Sequence, residues 1–230
     1  MKPPLALIKI WLLSLICLTA WQEESLGAAP LRSTIEQIER QWDEIYYHGL
    51  KDQRKEGLTQ LLTHIRALKK KHPEQAGLLI WEAIVLVTRT GVAPDLSALS
   101  NLDEARHLLL QAIEIEPKAL DGAAYLALGC LYYQAPGWPL SFGDNQKAER
   151  YLRKALALNP EGIEANYYFA DYLRQTGRLQ EALGFFQKTA TLPDNPNQPW
   201  LSTQLKKEAA TALQALVARL QQKPPAQPLP

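Results

Sequence analysis

The sequence predicts an all-α solenoid: stacked antiparallel helix hairpins closed by a C-terminal capping helix. Three observations carry this. Three ladders of small and large residues recur, each running into a proline: Ala105, Leu109 and Ala112 before Pro117; Ala148, Leu152 and Ala155 before Pro160; Ala182, Phe186 and Thr189 before Pro193. Self-similarity of this kind marks a repeat array in which each unit buries its apolar side only against the next. After residue 33 apolar residues recur at helical spacing, and no stretch alternates in polarity as a strand would. The chain has 230 residues, 47% of them apolar, which supplies the core of about four hairpins.

Residues 1–27 read as a cleaved secretory signal. Lys2 and Lys9 precede an apolar run over 10–20, and Ser25-Leu26-Gly27 offers small residues for cleavage. The run is too short for a bilayer, which needs about 20 residues, so no stable membrane span is expected after cleavage. This points to export, in a bacterium to the periplasm; an N-terminally anchored protein is the alternative. With Cys17 removed, Cys130 is the one remaining cysteine, so no internal disulfide can form and packing must supply stability. Its place in the apolar run Leu128-Gly129-Cys130-Leu131 reads as a structural thiol.

Ser33 with Glu36 has the spacing of a capping box and sets the expected start of the first helix, about 33–48. Further helices are expected over 52–71, 74–90, 101–116, 119–134, 144–158, 162–176, 179–192 and 200–222. Asp144 is the expected N-cap of its helix. Leu205, Ala209, Leu213, Leu216 and Val217 are expected on one side of the last helix, as a cap requires. The solenoid domain thus runs over 28–222, and the Pro-rich 223–230 reads as a disordered tail.

The segment from Ala165 to Pro193, with Gly177 at its turn and Ala182 and Phe186 on its second helix, resembles a tetratricopeptide repeat. The preceding unit resembles it more fully, through Tyr125, Leu128-Gly129, Tyr132, Ala148, Leu152, Ala155 and Pro160. Trp81, Ile84, Ala105, Leu109, Ala112 and Pro117 outline an earlier copy, and 33–73 a degenerate one. Two departures stand out. Pro73, Pro117 and Pro160 are spaced beyond the family's period of about 34 residues, with the extra length at Gly91 to Ser100 and Ala135 to Gly143. Asn166 stands where a large apolar residue is usual. The segment from Gly137 to Asp144 is similar to a loop of exported bacterial tetratricopeptide proteins, some of which accompany TRAP-type transporters.

The resemblance implies an open superhelix whose curved inner wall docks a protein or peptide. Its inward positions would be Glu82, Leu86 and Arg89, then Leu126, Cys130 and Tyr133, then Tyr167, Asp171 and Arg174. Of these, Glu82, Arg89, Tyr133, Tyr167, Asp171 and Arg174 are the candidate partner-binding residues. Asp171 and Arg174 can meet on one helix face, as a surface ion pair or with Arg174 gripping a partner's carboxylate or carbonyl. The lysines and asparagines of repeats that clamp chaperone tails are absent, which argues against that role. In the inserted loop Trp138 and Phe142 either anchor a partner or fold back onto the array.

No catalytic constellation emerges. The four histidines are dispersed, and no metal-ligand spacing, nucleophile elbow or phosphate-binding glycine loop occurs. A net charge of +1 offers no field for nucleic acid. The expectation is a non-enzymatic scaffold or adaptor without metal or cofactor. Two other readings stay open: a small-molecule-binding companion of a transporter, its pocket lined by Trp138 and Tyr133 and suited to organic acids, and a self-assembling structural protein.

Overall fold

The computed structural model describes residues 31–94 and 96–221. The signal at 1–27 and the tail at 223–230 therefore lie outside the described residues. Among the described residues nine helices follow one another: α1 (31–48, its last turn a π-helix, Glu44–His48), α2 (Arg54–Lys71), α3 (Ala76–Val92), α4 (Ala98–Ile115), α5 (Ala123–Gln134), α6 (Asn145–Leu158), α7 (Ile163–Gln175), α8 (Leu179–Thr191) and α9 (Pro199–Gln221). The one β feature among the described residues is an isolated bridge between Gly137 and Gly143. The all-α solenoid is thus the observed fold. α3 packs on α4, α5 on α6 and α7 on α8, while α2 packs on α3 and α8 on α9.

The ladder positions explain the stacking. Ala105, Ala148 and Ala182 are wholly buried where the two helices of a hairpin approach, and Leu109, Leu152 and Phe186 fill the space beside them. Gly129 serves the same approach from the other side: a Cβ there would lie 2.5 Å from Leu152 Cγ. Asp144 caps α6 as its sequence position predicts, accepting hydrogen bonds from the Gln146 and Lys147 amides at 2.9 and 3.0 Å. Those amides, Lys147 first, hold its carboxyl below the usual range.

Three local expectations change. Residue 31 is already helical, so Ser33 lies inside α1 rather than at its N-cap. The extra length at Gly91 to Ser100 is mostly absorbed into longer helices, leaving 93–97 as the connection. Asn101 ties that turn, donating to Thr90 Oγ1 at 3.1 Å and Ser97 Oγ at 3.0 Å. Residues 119–122 form a tight turn instead of the start of α5, because Leu120, Asp121 and Gly122 all have positive φ (48°, 54° and 83°). Gly122 is needed there, since a Cβ would meet Leu158 Cδ1 at 2.7 Å.

Asn166 is accounted for as well. It is fully buried, and its amide donates to the carbonyls of Pro160 (2.9 Å) and Gly162 (2.8 Å). A large apolar residue would leave the α6–α7 turn without those two donors.

Candidate functional site

The first helix of each hairpin contributes to the inner side. α1, α3, α5 and α7 surround a cavity of about 430 Å³, which the segment before α9 also lines. Trp42 of α1, Ile84 and Val87 of α3, Leu126 and Cys130 of α5 and Tyr168 of α7 form its apolar wall. Its charged residues are Glu39, Asp121 and Glu164, and no described lysine, arginine or histidine lines it.

The inner wall is not open along its length. Trp42 anchors α1 on α3, donating from Nε1 to Thr88 Oγ1 at 3.1 Å and lying 6.0 Å from the Trp81 ring. One turn on, Tyr47 packs against the cluster of Ile163, Leu192, Leu201 and Leu205 at the other end of the array. His48 stands edge-on to Trp200, ring centroids 4.7 Å apart. The cause lies in the composition of α1: Trp42 holds the helix on α3, Tyr46 stacks on Trp42 and stands edge-on to Tyr47, and Tyr47 reaches the apolar patch beside the cap. The expected open superhelix is thus a trough narrowed to a cavity by its own first helix.

The candidate partner-binding residues distribute unevenly. Glu82 does not face inward: it is 1% exposed at the α2–α3 junction, where Arg66 Nε donates to it at 2.8 Å and Lys69 pairs with its other oxygen. Leu86 is likewise buried, so the inner stripe of α3 is Ile84, Val87 and Thr88. Arg89 lies half-buried in the last turn of α3 with its Nε shielded and unpaired. Tyr133, Asp171 and Arg174 do come together. The Tyr133 hydroxyl donates to Asp171 Oδ2 at 3.0 Å, Gln175 donates to the same oxygen at 2.8 Å, and Arg174 pairs with Oδ1. Burial pushes the Tyr133 phenol far up, so it stays a neutral donor. Tyr167 instead donates to Glu208 of α9 at 2.6 Å.

The loop pair splits. Phe142 folds back, edge-on to Tyr132 at 5.5 Å with the Arg106 guanidinium 5.1 Å from its ring. Trp138 remains 89% exposed, and Leu140 70%. The loop beneath them is nonetheless ordered. Gly143 N–H donates to Pro136 O at 2.9 Å, Asp144 N–H to Tyr132 O at 2.8 Å and Leu140 N–H to Gly137 O at 3.1 Å.

Glu39, Glu164 and Tyr168 line the cavity but occupy no signature position of the repeat, so the sequence did not single them out. Burial first, then the charge of Glu164, pushes the Glu39 carboxyl up to about 7. Burial likewise raises the Cys130 thiol and the Tyr168 phenol, so both stay neutral. An unreactive thiol fits the structural role expected of Cys130. Among the described residues no group of three or more His, Cys, Asp or Glu could hold a metal ion.

Residues 140–199 match the family model described as tetratricopeptide repeat. The structure is similar to that of TTC0263, a thermophilic TPR protein of Thermus thermophilus, with a TM-score of 0.53 and 20% identity, covering 78% of this chain and 99% of that one. The fold is that of a tetratricopeptide array. Yeast Tom70 (TM-score 0.44, 21% identity, 73% of this chain and 33% of that chain) and MamA (0.45, 16%, 74% and 93%) also match. The assignment of the tetratricopeptide fold rests on the first. No curated protein matches the chain in sequence. The tetratricopeptide fold is shared by proteins of many functions and by itself fixes no activity.

Proposed function

We propose that the chain is an exported scaffold that recruits a polypeptide partner through the edge where α5 and α7 end. The observation that carries this is Trp138, an almost fully exposed indole on a loop held in place by its own hydrogen bonds and by Phe142. A rigid aromatic anchor loses little conformational entropy on binding, and such anchors dominate interface energetics. Leu140 extends the apolar tip, and Tyr133, Asp171 and Arg174 supply a polar rim at the same end of the array. The guanidinium of Arg174, 46% exposed, is positioned to take a partner's carboxylate or carbonyl.

Export rests on the signal-like segment 1–27, and no described helix is long and apolar enough to cross a membrane. The test is site-specific photocrosslinking in cells. A photoreactive residue at position 138 or 174 is expected to capture one discrete envelope protein, and the same residue at Thr211 on the exposed side of α9 none. Equal capture from all three positions, or capture from Thr211 alone, overturns the assignment of this edge.

A further inference from the structure

The cavity inside the array has the size of a small-molecule site, for which about 300–1,000 Å³ is usual, and its charge is one-sided. Three carboxylates and no described cationic side chain line it. Glu39 makes no hydrogen bond or ion pair among the described residues, and Glu164 accepts a single bond, from Asn195 Nδ2 at 3.4 Å. Two like-charged, partly buried groups facing one space are unfavourable unless something positive lies between them. The rest of the wall is mostly apolar, with Trp42, Trp81, Ile84, Val87, Leu126 and Ala127 around the carboxylates.

We propose that this cavity binds an amphipathic amine, its ammonium facing Glu39 and Glu164 and its apolar body lying along Ile84, Val87, Leu126 and Ala127. The carboxylates reject organic acids, and the wall holds neither Trp138 nor Tyr133, so this site differs from the organic-acid pocket considered above. The site is independent of the loop edge, and either can fail without the other.

Binding should depend on pH. Glu39 ionises at about 7, and an alkylamine stays protonated well above that. The other titratable groups around the cavity are Glu164 and Tyr168 on α7, Cys130 on α5, Asp121 in the turn before α5 and, on the helix of Glu39 itself, Glu36, Arg40 and Asp43. α3 presents only non-titrating side chains to the cavity (Trp81, Ala83, Ile84, Val87 and Thr88), and the segment before α9 presents Asn195, Asn197 and Gln198. Tyr168 and Cys130 remain neutral across the window. Amine affinity should therefore rise about tenfold from pH 6 to pH 8, following Glu39.

The experiment is calorimetric titration of the full chain with decylammonium below its micellar range, alongside decanoate and decanol. One saturable site for the amine, none for decanoate, and at least a tenfold loss in the double variant Glu39→Gln, Glu164→Gln are expected. The single variant Glu39→Gln, whose fold is checked by its melting curve, should lose the pH dependence. No amine binding, decanoate binding as tightly as the amine, or an affinity unchanged by either variant overturns the proposal.

Discussion

Between α7 and α8 the chain turns through Gly177, whose φ of +81° places the Arg178 amide on Leu173 O and its own amide on Arg174 O. That double bond pattern ends a helix cleanly and starts the next at a fixed angle. Between α1 and α2 no such device exists: α1 unwinds into a π turn, and Gly49, with an ordinary φ of −66°, donates to Glu44 O. The junctions beyond these hairpins differ as much. Glu149 of α6 meets Arg178 beside α8 in a half-exposed network with Arg153 and Glu181. Glu82 of α3, itself 1% exposed, meets Arg66 and Lys69 of α2, which keep 43% and 29% exposure. The last hairpin is thus set by its turn and could stack on any similar neighbour. The first is held by a specific charge contact and by aromatic side chains that reach across the inner side. A regular repeat propagates an array, and an irregular one can end it by folding inward.

That contrast can be broken most sharply at the charges. Replacing Arg66 and Lys69 together by Met leaves Glu82 buried and unpaired, and should cost about 3–5 kcal/mol in urea unfolding. Arg178→Met, at the exposed junction, should cost about 1 kcal/mol or less. Similar losses for both would mean that burial does not distinguish the two ends. Two glycines give the next comparison. Gly129→Ala drives a methyl onto Leu152, including its backbone nitrogen at 3.1 Å, and should destabilise by about 2 kcal/mol. Gly77→Ala meets chiefly the far end of the Ile35 side chain and gains helix propensity, so its melting shift should be close to zero.

Asn166→Leu should cost about 1–2 kcal/mol by removing the two donors that fix the α6–α7 turn, measured by thermal unfolding. The smallest effect is a gain. The raised Glu39 carboxyl holds its proton more tightly in the folded chain, so the stability it confers is full below its ordinary value of 4.5 and is lost as pH rises to about 7. Its partial exposure screens that effect to about 1 kcal/mol. Glu39→Gln should raise the melting temperature slightly at pH 8 and leave it unchanged at pH 4. Glu149 behaves oppositely: Arg178, chiefly, holds its carboxyl low, so its contribution is present at neutral pH and fades on acidification below the usual carboxylate range.

The repeat was legible in the sequence because alanine, a large apolar residue and proline recur at fixed spacing, and that spacing is itself the packing constraint. Asp144 as a cap and Cys130 as a quiet thiol were legible for the same local reasons. The inner wall was less so. Carrying repeat positions onto α3 selected Glu82 and Leu86, yet neighbouring α2 covers that side and turns Ile84, Val87 and Thr88 inward. The closure by α1 depends on contacts between residues more than a hundred positions apart, such as His48 with Trp200, which no local period encodes. One trace was present, the aromatic run Trp42, Tyr46, Tyr47 at the end of a helix otherwise read as a degenerate repeat. The loop pair was ambiguous in sequence because an indole and a phenyl carry the same hydrophobic signal. Tyr132 and Arg106 claim Phe142 and leave Trp138 outside.

The closure of the inner trough by α1 can be measured directly. In a Cys17→Ser, Cys130→Ser background, His48→Cys with Trp200→Cys should be joined rapidly and almost completely by a short bis-maleimide. Crosslinking should stay independent of protein concentration, and a control pair at His48 and Thr211 should stay unjoined. Failure to join positions 48 and 200 under native conditions would mean that α1 stands away from the cap and that the inner wall is open after all.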